Sequence, residues 1–159
     1  WVNMIRRALK AFGTNMSDGS FENILENSDM LSGDVAAALD PHFKDAHDPS
    51  NAAKLGHGVV IVKYTGVRGK AMTSEASAEM VGKIRRLLNK AGVKWQSSIL
   101  GEVDKGGGGT IAKFFAERGV NVIDIGPPVL GMHSPYEIVS KVDIFETFRA
   151  YKAFYEDNA

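Results

Sequence analysis

The chain lacks cysteine altogether, and this absence excludes two kinds of chemistry. Without thiols it can form neither a disulfide framework nor a zinc site held by thiolates. No secretory leader is visible, and together with the missing cysteines this predicts a cytoplasmic protein. No apolar run approaches the ~20 residues of a membrane-spanning helix, so no membrane partner is expected.

The chain has no excess of charge of either sign. Its 19 basic and 19 acidic residues balance, so the formal net charge is zero. Proteins that bind nucleic acid or anionic lipid electrostatically carry a basic excess, and neither partner is predicted here. The 159 residues, 44% of them hydrophobic, are sufficient for one domain with its own core.

Several hydrolase signatures are also missing. The chain has no His-Glu-x-x-His motif and no adjacent glutamates, and no Ser-His-Asp or Cys-His order can be read from it. The glycine run 106–109, which we call the glycine loop, is not a P-loop because no Lys-Ser/Thr pair follows its last glycine. Its backbone N–H groups suit an anion or a substrate carbonyl, and a flexible tight turn is the alternative.

The apolar residues alternate between strand and helix periods. Strands are predicted over 58–64, 93–100 and 120–125, and over 29–35 running into the alanines 36–38. Helices are predicted over 1–12, 74–91, 110–118 and 135–155, and loops over 13–28 and 40–53. This alternation implies an α/β domain, layered helix–sheet–helix, with a mixed and largely parallel sheet.

Two predicted helices carry specific expectations about burial. In the helix over 110–118 the residues expected to face inward are Ile111, Phe114 and Phe115. In the last helix the residues expected in the core are Ile138, Val142, Phe145 and Phe148.

His133 is the first candidate for chemistry. It follows a buried strand and two prolines, and it directly precedes Ser-Pro-Tyr-Glu, which fits a capping box with proline at the first helical position. It therefore lies on a stiff connection after a strand, where ligand sites of open α/β sheets cluster. The alternative is a structural histidine that donates to a backbone carbonyl near a helix start.

Asp34 is the second candidate. It comes after an apolar strand and before small residues, and a carboxylate at low dielectric needs a cation, a metal or backbone donors. The alternative is a helix N-cap, a position that aspartate fills well.

Two other polar groups are weaker candidates. Three histidines, His42, His47 and His57, lie in or beside the predicted loop over 40–53. Their spacing matches no zinc motif, so solvated or hydrogen-bonding roles are predicted. Lys63 belongs to a positive patch with Arg68 and Lys70 that could neutralise a peptide carboxylate. A solvated strand end is the alternative.

Taken together, four blocks of the sequence resemble the aspartyl aminopeptidase and aminopeptidase I family of metallopeptidases. They are the Ser-Gly-Asp segment with the following Asp-Pro, the strand and turn over 58–70, the glycine turn over 104–111, and Asp-Ile-Gly-Pro-Pro-Val-Leu-Gly-Met-His-Ser over 124–134. The match continues to Phe-Tyr-Glu at 154–156 and covers nearly the whole chain.

The resemblance implies a zinc-peptidase-like fold, peptide substrates, a homo-oligomer and a pair of divalent metal ions, most often zinc. Asp34 matches a carboxylate ligand of one metal, and His133 matches the final histidine ligand of the other. The residues expected to contact substrate are Gly108, Gly109, Met132 and Lys63.

The same resemblance implies that the remaining ligands lie outside this chain. Residues 1–159 correspond to the C-terminal part of a catalytic domain. The general-base glutamate, the upstream catalytic half and an inserted dimerisation domain are expected in a missing N-terminal half or a complementary chain. Alone, the chain is expected to bind metal poorly and to have no meaningful peptidase activity.

Two other interpretations of the chain's function stay open. The chain could be an α/β module that binds phosphate or a nucleotide at the glycine loop, or an inert subunit that only assembles with relatives.

The chain also departs from the pattern of the family it resembles. Aspartyl-type members have histidines or asparagine where this chain has Ala37, Asp40 and His42. Specificity for acidic N-terminal residues is therefore not implied.

Overall fold

A computed structural model describes residues 1–14 and 19–157. In this part of the chain the helices are α1 (Val2–Ala11), α2 (Ser20–Glu26), α3 (Ala78–Lys90), α4 (Ala112–Ala116) and α5 (Lys141–Glu156). The strands are β1 (Asp29–Ser32), β2 (Ala36–Ala37), β3 (Val59–Val62), β4 (Tyr64–Val67), β5 (Ala71–Glu75), β6 (Trp95–Ser98), β7 (Asn121–Gly126), β8 (Pro128–Leu130) and β9 (Ile138–Val139). None of the helices described is both long and apolar enough to cross a membrane.

Four strands form the central sheet in the order β1-β7-β3-β6. Strands β1 and β7 are parallel, β3 and β6 are parallel, and β3 and β7 meet in an antiparallel pairing. The β-branched run of β3 is buried at all four positions, as expected for a strand covered on both faces. The predicted α/β domain with a mixed, largely parallel sheet is confirmed.

The two faces of the sheet are covered differently because side chains alternate along each strand. On one face, Val59, Ile61, Ile123 and Ile125 pack against α3 and α5. On the other, Val60 and Val62 pack against Ala36 of β2, Ala53 and Leu100, while α1 and α2 form a separate cluster nearer the strand starts. Leu100 also lines a cavity.

Two boundaries differ from those predicted. The predicted loop over 13–28 contains helix α2, although residues 15–18 of it lie outside the described residues. The helix predicted from Ser74 begins at Ala78, because Ser74 lies in β5, paired with Thr65. Ser77 is the N-cap, and its hydroxyl accepts the N–H of Met80 at 3.1 Å.

The predicted start of the last helix is also wrong. Helix α5 begins at Lys141 with Ser140 as N-cap, so Pro135 does not open it. Residues 134–137 instead form a turn that leads into β9, which pairs with β8. The carboxylate of Glu137 accepts the backbone N–H of His133, one residue before the N–H that a capping box would satisfy, and no helix follows.

The inward and outward faces of α5 are the reverse of those predicted. The four residues expected in the core are 56–61% exposed: Ile138, Val142, Phe145 and Phe148. Asp143 and Glu146 face inward instead. Asp143 accepts the N–H groups of Gly56 and Gly58, both at 2.7 Å, and Glu146 accepts that of Lys94 at 2.8 Å. These carboxylates satisfy backbone donors just before β3 and β6, which leaves the apolar residues outside.

The short helix α4 shows the same kind of error. Ile111 and Phe114 are about half exposed, although both were predicted to face inward. Only Phe115 packs against the cluster formed by α1, α2 and Val120.

Candidate active site

Parallel pairing of β1 with β7 brings Asp34 close to the connection that carries His133. Strand β1 ends two residues before Asp34, and β7 continues through β8 towards His133. The carbonyl oxygen of Asp34 lies so close to Gly126 that a Cβ at Gly126 would overlap it. Both Asp34 and His133 line one cavity of about 490 Å³.

The cavity also receives most of the other predicted site residues. Gly108, Gly109 and Met132 line it beside Asp34 and His133. Lys63 does not: its side chain is exposed and forms an ion pair with Glu75 on the β4–β5 hairpin. The structure therefore brings five of the six predicted residues to one place.

The surroundings of Asp34 remove the alternative of a helix cap. Strand β2 follows Asp34, not a helix. Its carboxylate is exposed, and Oδ1 accepts the backbone N–H of Val35 at 2.8 Å. Within the described residues no other hydrogen bond reaches this carboxylate, so Oδ2 can serve as a ligand.

The surroundings of His133 are equally open. Its backbone is left-handed, with φ of 66°, which is uncommon outside glycine and marks a functional or strained position. The backbone N–H donates to Oε1 of Glu137 at 2.6 Å. Among the described residues the imidazole has no hydrogen-bond partner, and no helix begins beside it.

The glycine loop is held in place by close backbone contacts. A Cβ at Gly106 would overlap the carbonyl oxygen of Ala46, and one at Gly107 would stand 2.5 Å from that of Gly66. Gly107 also has φ of 94°, which L-residues rarely adopt. Glycine is therefore required by packing at these positions, which argues against a loosely held turn.

Asp124 is a buried residue of the site region that the sequence analysis missed. It is 5% exposed in the middle of β7, and its Oδ2 accepts the hydroxyl of Thr110 at 3.0 Å, next to the glycine loop. Burial raises the pKa of Asp124, the hydroxyls of Ser32 and Thr110 lower it, and the charge of Asp34 raises it. The signal available in the sequence was a charged residue inside the apolar run of a predicted strand.

The second carboxylate oxygen of Asp124 accepts no hydrogen bond from the described residues. Its Oδ1 and the Oγ of Ser32 are buried without a partner at hydrogen-bond geometry in the described chain. The two residues are opposite each other in the β1–β7 pairing, so the Ser32 hydroxyl still influences the pKa of the carboxyl group.

Tyr151 of α5 supports the turn that carries Asp34 from the opposite face of the sheet. Its hydroxyl donates to the carbonyl of Ile125 at 2.8 Å. A Cβ at Gly33 would stand 3.0 Å from the same hydroxyl oxygen, so this tyrosine lies directly beneath the turn. Burial raises the pKa of Tyr151, and the charge of Asp34 adds to the effect.

The three histidines of the 40–58 region are not equivalent. His42 and His57 are exposed, but His47 is only 8% exposed and lines the cavity, so of the two predicted roles, solvated or hydrogen-bonding, the solvated one is wrong for His47. Burial lowers the pKa of His47, and the charge of Asp40 partly opposes this. Over the described ranges, no group of three or more potential metal ligands comes together.

Comparison with known proteins assigns this α/β domain to the metallopeptidases. Residues 2–155 match the model of the aminopeptidase I zinc metalloprotease family, M18, and the chain belongs to this family.

The similarity extends to sequence and structure. The chain is 55% identical over 156 residues to the probable M18 family aminopeptidase 1 of Thermotoga maritima, a match that covers 98% of this chain and 35% of that protein. A crystal structure of an M18 aminopeptidase from the same organism has a TM-score of 0.89 at 56% identity, covering 96% of this chain and 34% of that one. The crystal structure of aminopeptidase I from Clostridium acetobutylicum has a TM-score of 0.85 at 44% identity, covering 95% of this chain and 33% of that one.

The predicted family resemblance is thereby confirmed. The chain spans about a third of the length of the relatives it matches. The ligand and substrate roles assigned to individual residues stay predictions.

Proposed function

We propose that this chain is the C-terminal part of the catalytic domain of a metal-dependent aminopeptidase, which removes N-terminal amino acids from peptides. The observation that carries the proposal is the convergence of Asp34 and His133 on one cavity beside the glycine loop. Both side chains keep at least one ligand atom free, and membership of the M18 family supports the reaction type.

The donor set suits zinc, though it is incomplete. Carboxylate oxygen and imidazole nitrogen are both ligands that zinc takes, and a catalytic zinc usually has about three protein ligands. Asp34 would bind one metal ion and His133 the other. The remaining ligands and the general-base glutamate would come from the upstream half. When bound, divalent metal ions supply Lewis-acid activation of water and of the scissile carbonyl.

This chain's own residues would hold the substrate. The glycine loop lies on the cavity wall, where the backbone N–H groups of Gly108 and Gly109 can donate to a peptide carbonyl. Met132 adds an apolar contact. The bond from Thr110 to Asp124 fixes the end of this loop on the sheet, so the donors need not reorganise during the reaction.

The exposed apolar residues of α5 support a further partner. Val142, Ile144, Phe145 and Phe148 form what we call the outer face of α5, and each is about half exposed or more. Exposed apolar patches of this kind mark interaction surfaces. The outer face would pack against the upstream half of the protein, and the complete enzyme would be a cytoplasmic homo-oligomer.

The test compares the chain alone with the chain supplied together with the upstream half. Zinc content would be measured by elemental analysis, and activity with aminoacyl-nitroanilides. Alone, the chain should bind zinc well below one equivalent and hydrolyse nothing. With the upstream half, activity should appear, and His133→Ala and Asp34→Ala should abolish it.

A matched control is His42→Ala, which removes an exposed histidine that does not line the cavity and should leave activity unchanged. Stoichiometric zinc and hydrolysis by the chain alone would show that the site is complete without other residues. Full activity of the His133 and Asp34 variants would refute their assignment as ligands.

A further inference from the structure

The cavity has two further polar residues, Asp40 and His47, that the proposed metal chemistry leaves unused. Both residues line the cavity. Oδ1 of Asp40 accepts the backbone N–H of His42 at 2.8 Å, which fixes the carboxylate in an Asx turn. The ring of His47 is not hydrogen-bonded to any other described residue, although the ring is largely withdrawn from solvent.

Asp40 and His47 offer hydrogen-bond acceptors to the cavity. A carboxylate only accepts, and a neutral imidazole has one accepting nitrogen. Burial lowers the pKa of His47, which favours the neutral imidazole near pH 7. Asp40 and His47 together are therefore suited to a group that donates several hydrogen bonds and carries positive charge.

No basic side chain of the described residues lines the cavity. Its charged or titratable lining residues are Asp34, Asp40, His47 and His133, and no lysine or arginine of the described chain is among them. An acidic substrate side chain placed beside Asp40 would face that carboxylate with no lysine or arginine of the described lining to neutralise it, which is unfavourable.

Part of the cavity wall is apolar. Phe43, Ala46 and Leu100 belong to this part. The volume of about 490 Å³ is that of a typical small-molecule site. Lysine and arginine side chains bury an apolar stem along such surfaces while their charged head reaches a polar group.

We propose that Asp40 and His47 bind the side chain of the substrate's N-terminal residue, so that the site selects peptides that begin with arginine or lysine and disfavours those that begin with glutamate or aspartate. This inference rests on the function proposed above. Asp40 is then the residue that determines specificity, and His47 provides a second acceptor for the cationic head.

The experiment is a charge series of aminoacyl-nitroanilides that carry arginine, lysine, methionine or glutamate, assayed with the chain and the upstream half together. Values of kcat/KM should fall in the order arginine and lysine, methionine, glutamate. Asp40→Asn keeps an oxygen that can accept the His42 N–H, so the turn should persist. This variant should lower kcat/KM about fivefold to tenfold for arginine and lysine, with methionine changed less than about twofold.

Asp45→Asn is the matched control, because it removes an exposed carboxylate from the same segment that does not line this cavity. It should leave the order of substrates unchanged. Glutamate hydrolysed as fast as arginine by the unaltered protein would overturn the proposal, and so would an Asp40→Asn variant that changes all substrates equally.

A binding measurement separates this inference from the proposed function. If no substrate is hydrolysed, the proposed activity fails, and binding of argininamide, norleucine amide and glutamic acid α-amide to the chain, followed by NMR, decides the specificity on its own. Argininamide should bind most tightly and shift the resonances of Ala46 and His47, and Asp40→Asn should remove its advantage. Equal affinities for the three amides would refute the inference.

Discussion

Replacing Thr110 by valine should lower the free energy of unfolding by about 2 kcal/mol, the typical loss of a hydrogen bond to a charged group. The hydroxyl of Thr110 donates to Oδ2 of Asp124 at 3.0 Å, and the two residues are 8% and 5% exposed. Valine has nearly the shape of threonine, so little packing is lost. The substitution leaves Asp124 with no hydrogen bond in the described structure, because its Oδ1 already has none.

The assay is urea unfolding at pH 7, followed by circular dichroism. For a domain of this size, a loss of about 2 kcal/mol corresponds to a fall in Tm of roughly 4–8 °C. Thr73→Val is the control, because Thr73 is an exposed threonine of β5 and should change the stability by less than about 0.5 kcal/mol. Thr110→Ser should recover most of the loss, since serine restores the donor.

Thr110→Val should also loosen the glycine loop. If Thr110 anchors the glycine loop, amide hydrogen exchange at Gly108 and Gly109 should become faster in Thr110→Val than in the control. A loss below about 0.5 kcal/mol, with unchanged exchange in the loop, would refute the reasoning that this bond fixes the loop on the sheet.

Three further predictions concern Gly126, His133 and Asp124. Gly126→Ala should lower the free energy of unfolding by about 3 kcal/mol or more, since the added Cβ would overlap the carbonyl oxygen of Asp34. A loss below about 1 kcal/mol on urea unfolding would contradict this close approach. His133→Gly should raise the free energy of unfolding by up to about 1 kcal/mol, because φ is 66° there, whereas His133→Ala should give no gain in the same assay. Because burial raises the pKa of Asp124, the folded state holds this proton more tightly than the unfolded state, and stability should fall as pH rises from the ordinary aspartate pKa to the raised one. Asp124→Asn should remove that fall in a series of unfolding curves, and an unchanged pH dependence would contradict it.

The sequence predicted the strands better than the helices. The run Val-Val-Ile-Val of β3 is buried throughout, so composition and periodicity agree on a strand. Helix α5 was misplaced because the predicted capping residues form a local turn, in which the Ser134 hydroxyl accepts the N–H of Tyr136 and Glu137 accepts that of His133. A capping pattern describes how the first N–H groups are satisfied, and a turn can satisfy them equally well.

The faces of α5 could not be read from hydrophobicity alone. Asp143 and Glu146 point inward because three backbone N–H groups before β3 and β6 need acceptors, a requirement that arises only from the tertiary structure. The position of Asp34 and His133 in one cavity agrees with the candidate site predicted from their blocks of sequence. Asp124 and His47 did not, since their importance depends on burial beside the cavity.

The pairing of β1 with β7 has a consequence for how the protein forms during synthesis. Asp29 and Asn121 stand at the start of this pairing, where the Asn121 side chain donates a hydrogen bond to the Asp29 carboxylate, and they are 92 residues apart in the chain. At about 5–20 residues per second, a ribosome needs roughly 5–20 s to make that stretch. During this interval β1 has been made but its partner has not, and the Asp34 turn cannot meet the His133 connection. The site is therefore assembled late, and the nascent chain depends on protection of its unpaired strand until then.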